Sequence, residues 1–166
     1  MQTQVRKAAA VYLLAVAFGL AACSDGDGAG TRGIPPAAPA AETSRDFGTH
    51  VLHYRAFRSD EISPQIARAY DLPRSRNRAL VNIALVRQMP DTLGEPVRGQ
   101  VELSARNLLG QQKPISIREI EDGGAIYYLG ETSISHNETV IFELSVLPED
   151  GETAYTVRFT QLFHTR

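Results

Sequence analysis

The fold is decided by the stretch Thr139-Val-Ile-Phe-Glu-Leu-Ser-Val146, the turn Pro148-Glu-Asp-Gly151 and the stretch Tyr155-Thr-Val-Arg-Phe-Thr-Gln-Leu-Phe163. On both sides of the turn, apolar and polar side chains alternate residue by residue. A period of two is typical of a strand with one buried face. Two such runs joined by a turn that contains proline and glycine predict an antiparallel hairpin.

The same alternation continues towards the amino terminus. It predicts a strand at residues 97–106, and residues 48–58, 79–88, 113–121 and 125–135 are further candidate strands. The run from Ala79 to Val86 is apolar on both sides apart from Asn82, which is typical of a central strand. Ser63 followed by Pro64 predicts a short helix of about two turns, because serine caps helices and proline suits their first position.

These elements predict an all-β fold, an immunoglobulin-like β-sandwich of about seven antiparallel strands with one short helix. A small closed β-barrel is the alternative.

Composition excludes several classes of protein. The 166 residues include 17 Lys and Arg against 19 Asp and Glu, so the chain has no basic excess for nucleic acid. A single cysteine can form neither an internal disulfide nor a cysteine-rich zinc site. Nothing in the sequence indicates a cofactor.

The amino terminus has the pattern of a secretory leader. Arg6 and Lys7 precede an uncharged run over residues 8–22, which is too short for a membrane span. The run ends in Leu20-Ala21-Ala22-Cys23, which resembles the bacterial lipobox. The resemblance implies that residues 1–22 are removed and that Cys23 carries lipid. The alternative is an ordinary cleaved leader that ends near a cysteine by chance.

The lipobox resemblance also carries an expectation of location. Ser24 rather than aspartate follows the cysteine, which in the sorting rule of enteric bacteria directs a lipoprotein to the outer membrane. We therefore expect a periplasmic protein whose first partner is the membrane itself. Residues 23–44 are rich in glycine, proline and alanine and predict a flexible tether, followed by a folded domain over residues 45–166.

Catalytic and metal-binding patterns are weak. No Gly-x-Ser-x-Gly elbow or glycine-rich phosphate loop is found in the sequence. His50 and His53 are three apart in a predicted strand and so point to opposite faces. We therefore assign no catalytic and no metal-binding residue. The alternative hypothesis is an envelope hydrolase that uses Asp60 and Glu61 with a histidine such as His53.

The candidate contacts for a partner are Arg74, Arg76, Arg78 and Tyr128. In an extended chain the three arginines share one side, where they could bind an envelope protein, a glycan or a lipid headgroup. The competing interpretation is that they pair with the domain's own acids, such as Asp71. The Tyr127-Tyr128 pair places one ring on each face of a strand, and a surface tyrosine often marks recognition.

The domain resembles the DUF4426 family, a bacterial family of unknown function. The residues that carry the resemblance include Phe47-Gly48, Val51-Leu-His-Tyr54, Ser63-Pro64, Arg74-Ser-Arg-Asn-Arg-Ala-Leu-Val-Asn-Ile83, Asn107-Leu108, Ala125-Ile-Tyr-Tyr128 and Tyr155-Thr-Val157. The resemblance implies a small secreted β-sandwich without assigned catalytic residues. We therefore expect a membrane-anchored, non-catalytic binding or accessory module of the cell envelope.

Overall fold

The computed structural model describes residues 42–166. The predicted leader, Cys23 and the predicted tether up to residue 41 lie outside the described residues. The strands are β1 (Ser44–Asp46), β2 (His50–Arg58), β3 (Arg78–Arg87), β4 (Glu95–Pro96), β5 (Gly99–Asn107), β6 (Gln112–Lys113), β7 (Ser116–Asp122), β8 (Ala125–Ser133), β9 (Glu138–Pro148) and β10 (Tyr155–Phe163). One helix, α1 (Pro64–Ala69), and one 3₁₀ turn (Ser59–Glu61) lie between β2 and β3.

The strands form two antiparallel sheets. In the first sheet the order is β1-β2-β3-β8-β7, with β4 beside β3, and in the second it is β10-β9-β5-β6. The two sheets stay separate and do not close, so the predicted β-sandwich is confirmed and the barrel alternative is wrong. Seven of the strands are long, as predicted, and the three short ones, β1, β4 and β6, were not predicted.

The alternating residues of the predicted hairpin form the centre of the core. Phe142 and Leu144 of β9 are buried and pair with Phe159 and Val157 of β10. The rings of Phe142 and Phe159 stack with centroids 5.1 Å apart. Polar residues between them, such as Glu143, face outwards, so burial of the apolar face determines the strand register.

The strand β3 is central, as its sequence predicts, and it has a covered outer face. Its neighbours are β2 and β8. Leu80 points away from the main core into a second apolar cluster with Ala67 and Leu72. The predicted helix α1 supplies Ala67, and the Ser63 hydroxyl caps it by accepting a hydrogen bond from Ile66 N at 3.2 Å. The helix thus explains why β3 is apolar on both sides. No helix among the described residues is long and apolar enough to cross a membrane.

Candidate binding site

The predicted arginine string is largely occupied by contacts within the domain. Arg74 and Arg76 lie in the loop before β3, and Arg78 is the first residue of that strand. Arg74 donates to the backbone oxygen of Asp60 at 2.7 Å, and Arg76 Nε lies 3.8 Å from Asp60 Oδ2. Arg78 forms an ion pair with Glu131. The interpretation of internal pairing therefore fits, although the acids are Asp60 and Glu131 instead of Asp71.

The 3₁₀ turn after β2 joins this arginine string to the sandwich. Ser59 is 0% exposed, and its hydroxyl donates to Ser75 O at 3.0 Å and accepts from Ser75 N at 2.8 Å. Arg58 Nε lies 3.1 Å from Asp60 Oδ1 and 3.4 Å from Glu61 Oε1, which are ion-pair distances. The contact with Asp60 lacks the geometry of a hydrogen bond. Both carboxylates named in the hydrolase hypothesis thus neighbour an arginine.

The histidine of that hypothesis lies elsewhere. His53 is exposed in the middle of β2, where it pairs with Ala84. Asp60 and Glu61 follow the end of this strand at Arg58, which lies five residues and about 17 Å from His53. The structure does not bring His53 together with Asp60 and Glu61. Among residues 42–166 no group of three metal-ligating side chains is found either.

Tyr128 belongs to the core and not to the surface. It is 5% exposed, and its hydroxyl accepts a hydrogen bond from Gly99 N at 2.8 Å. Burial raises the pKa of Tyr128. This geometry corrects the prediction that Tyr128 contacts a partner, because the strand turns Tyr128 inwards and Tyr127 outwards.

Sequence reasoning missed a polar cluster around the buried His50 at the start of β2. His50 is 5% exposed, with Nε2 3.2 Å from Asp150 and Nδ1 3.0 Å from Thr49 Oγ1 and 3.2 Å from the Tyr155 hydroxyl. Arg87 donates to the same Asp150 through Nε at 2.8 Å, and this bond lowers the pKa of Asp150. Both imidazole nitrogens thus have partners inside the domain. The cluster therefore links β2 to the β9–β10 hairpin by side-chain hydrogen bonds.

A cleft of about 810 Å³ lies between the edges of β2 and β10. Its floor is aromatic, with the rings of Tyr54 and Phe159 4.8 Å apart. Arg58 donates to the backbone oxygen of His164 and so bridges the two edges. Charged side chains also line the cleft, namely Glu42, Arg55, Glu61 and Arg158.

On the β2 side, backbone groups face the cleft beyond the end of β1. Gln88 N donates to Thr49 O, so Thr49 bonds to the β3 side. Because hydrogen-bonded pairs alternate along antiparallel strands, every second residue from Val51 onwards also directs its N–H and C=O towards β3. The residues between them face the other way, as the bond from Tyr54 N to Thr43 O shows. Ala56 comes next in this series and has no backbone partner among residues 42–166.

On the β10 side, no strand among residues 42–166 covers the edge. Glu149 N donates to Arg98 O, so odd-numbered residues of β9 bond to β5 and even-numbered ones bond to β10. The partners on β10 are then its odd-numbered residues, such as Val157 and Phe159. The backbone groups that face outwards, without a strand partner in the described part of the chain, belong to Thr156, Arg158, Thr160 and Leu162. Alternation along these strands was visible in the sequence, but their position at a sheet edge was not.

Comparison with known proteins gives two findings and one negative result. Over residues 44–166 the chain matches the family described as "Domain of unknown function (DUF4426)". The crystal structure of a DUF4426 family protein from Pseudomonas aeruginosa PAO1 is 32% identical to it, with a TM-score of 0.63. The alignment covers 75% of this chain and 95% of the other. No curated protein matches the chain. The cleft and the arginine string are thus features of a chain that belongs to the DUF4426 family.

Proposed function

We propose that this protein is a non-catalytic binding module of the cell envelope, attached through lipid on Cys23 to the periplasmic face of the outer membrane. The observation that carries the binding role is the cleft of about 810 Å³ between the end of β2 that β1 leaves open and the edge of β10, which no other strand of residues 42–166 covers. An aromatic floor beside free backbone donors and acceptors suits an extended chain better than a compact metabolite.

The anchor is supported by the sequence of the leader. Leu20-Ala21-Ala22-Cys23 follows a short uncharged run with two basic residues in front of it. Each buried CH₂ of an acyl chain contributes about 0.8 kcal/mol, and two or more chains hold a protein stably on a bilayer. Lipid on the sulfur also removes the free thiol of the only cysteine.

The anchor is tested by metabolic labelling with an alkyne fatty acid, followed by separation of the two membranes on a density gradient. We expect the wild type to carry label and to sediment with the outer membrane. The Cys23→Ala variant is the matched control and should be unlabelled, with an unchanged circular dichroism spectrum. An unlabelled wild type contradicts the lipid anchor, and label in the inner membrane contradicts the location.

The binding role is tested by site-specific photo-cross-linking in the producing cell. A photoreactive residue in place of Leu162, which is 46% exposed at the cleft, should yield a discrete adduct. Leu109, which is exposed in the loop between β5 and β6, serves as the matched control position. Equal adducts from both positions, or none from Leu162, count against the cleft as the binding site.

A triple variant separates the cleft from the arginine string. With Arg74, Arg76 and Arg78 changed to alanine, cross-linking from Leu162 should persist in protein that remains folded. The reason is that Arg74 and Arg78 already have partners within the domain, and Arg76, which is 70% exposed, lies 3.8 Å from Asp60. Loss of the adduct would show that the arginine string contributes to the binding site.

A further inference from the structure

The four sheet edges of the described domain differ in how well they are protected. The edge strands β1 and β6 are only three and two residues long, so they cover their neighbours β2 and β5 in part, and β7 carries four charges in seven residues. The remaining edge, β10, is nine residues long and carries one charge, Arg158. Native proteins normally shield a long edge strand with charges, proline or a bulge, because its free backbone groups attract another strand.

The backbone of β10 offers a regular row of hydrogen-bonding groups. Those of Thr156, Arg158, Thr160 and Leu162 point away from β9, as the pairing described above requires. From Thr156 to Leu162 the row is about 20 Å long, enough for a segment of six to eight residues. Such an edge matches the mode of recognition in which an extended peptide adds a strand to a sheet.

Charge at the cleft indicates the chemistry of the peptide. Glu42 lies 3.3 Å from Arg45, and Glu61 lies 3.4 Å from Arg58, which it shares with Asp60, so each carboxylate of the cleft has a guanidinium beside it. Arg55 has no ion pair among residues 42–166 and lies over the Phe57 ring at 5.9 Å.

The second arginine of the cleft is only weakly compensated. Arg158 Nε lies 3.7 Å from Glu143, and the same carboxylate accepts a bond from Arg106 at 3.0 Å. The cleft therefore carries an excess of positive charge at Arg55 and Arg158, on the outer faces of its two walls.

We propose that an extended acidic peptide segment of another envelope protein binds as an added strand along β10. Side chains of this segment that lie on the same face as Arg158 are aspartate or glutamate. Those that alternate with them enter the cleft over Phe159 and are apolar, because the two faces of a strand alternate. This inference rests on the proposed binding function and names the partner class of the same site.

The test uses the mature lipidated protein in detergent micelles and a pool of fluorescent eight-residue peptides. In the pool, apolar residues alternate with aspartate or glutamate, and a matched pool carries lysine at the acidic positions. We expect the acidic pool to bind and the lysine pool to bind at least about tenfold more weakly. Equal binding of both pools, or no binding of the acidic pool, overturns the proposal.

Backbone pairing is tested with Thr160→Pro and its matched control Thr160→Ala. Proline removes the outward N–H of residue 160 but no bond to β9, and edge positions of this kind tolerate proline. We expect Thr160→Pro to lose at least about tenfold in affinity and Thr160→Ala to change it less than about twofold. Equal affinity of the two folded variants overturns strand addition.

A charge variant, Arg158→Glu, should weaken binding of the acidic pool, while Arg68→Glu on the exposed side of α1 should not.

Hydrogen exchange in the unmodified protein gives a readout that is independent of any variant. Peptide binding should slow exchange at the amides of Arg158, Thr160 and Leu162, while those of Phe159 and Gln161 are already protected by β9. If an anionic glycan protects these amides from exchange and the peptide pool does not, the proposal that the partner is a peptide is overturned. The cross-linker at position 162 can also be combined with Thr160→Pro. If both the protein with and the protein without Thr160→Pro capture the same partner in cells to the same extent, the binding function stands and strand addition fails. If Leu162 captures nothing, the binding function itself fails.

Discussion

A single hydroxyl joins the two sheets at Tyr128. The ring belongs to β8 in the first sheet, and its oxygen accepts the backbone N–H of Gly99 at the start of β5 in the second. Gly99 is held closely, since a methyl group there would lie 2.6 Å from the backbone oxygen of Leu147. This contact explains why the buried member of the tyrosine pair is structural.

The Tyr128→Phe variant should lose about 1–2 kcal/mol in free energy of unfolding, because the Gly99 N–H is left without its partner in a partly buried position. Chemical denaturation of the purified domain measures this change. Tyr127→Phe is the matched control and should change stability by less than about 0.5 kcal/mol. Equal losses in both variants would show that the bond to Gly99 contributes little.

The Arg87–Asp150 contact predicts a dependence on pH. The bond from Arg87 lowers the pKa of Asp150 in the folded state, so the ionised carboxylate stabilises the fold. This contribution is full above the unfolded pKa of about 3.9 and is lost as the pH falls through the lower folded value. Asp150→Asn should therefore be less stable than the wild type at pH 7, with the gap closing below about pH 4. Glu95→Gln, which alters a more exposed partner of the same Arg87, should show a smaller gap. A gap that does not change with pH would contradict the assignment.

At the scale of elements, the 3₁₀ turn and the loop before β3 are held together by one buried side chain. Ser59→Ala leaves both the N–H and the carbonyl of Ser75 without their partner, so we expect a loss of about 2–3 kcal/mol in unfolding free energy. Ser104→Ala, at an exposed site on β5, is the matched control and should be neutral within about 0.5 kcal/mol. A neutral Ser59→Ala would show that water replaces both bonds.

Elements also show what the sequence could predict. Six of the seven long strands show a local period-two pattern or an apolar run, and α1 has a cap and a proline, so these elements were predictable from neighbouring residues. In β7 the apolar residues Ile117 and Ile120 are three apart, so its pattern is weaker. The two- and three-residue strands β1, β4 and β6 are too short for any period. Their pairing depends on strands already in place, which a local pattern does not contain.

The candidate site was harder to predict because it exists only in the folded chain. Arg78 meets Glu131 across 53 positions, so spacing along the string showed a shared face but not its partner. The cleft depends on which strands become edges, and this follows from the order of both sheets. The one available signal was the low charge of the last strand, Tyr155–Phe163, compared with the highly charged strand at Ser116–Asp122.

At the scale of the molecule, the folded unit should be independent of the preceding residues. A chain that starts at Glu42 keeps both apolar clusters and should melt within about 2 °C of the mature chain. A chain that starts at His50 loses β1 and the Phe47 ring, which stacks on Tyr155 at 4.3 Å, and should melt roughly 5 °C or more lower. Calorimetry of the three chains measures both differences. A large drop already at Glu42 would mean that earlier residues contribute to the fold.

The place where the chain enters the domain has a consequence for the encounter with a partner. Glu42 lines the cleft, so the first described residue is also at the mouth of the proposed site. With lipid on Cys23, no conformation of the 19 peptide units from Cys23 to Glu42 can take that mouth more than about 65 Å from the bilayer. A partner in the same membrane then meets the cleft at a raised effective concentration, so weak contacts suffice for occupancy. A partner free in solution would gain no such advantage.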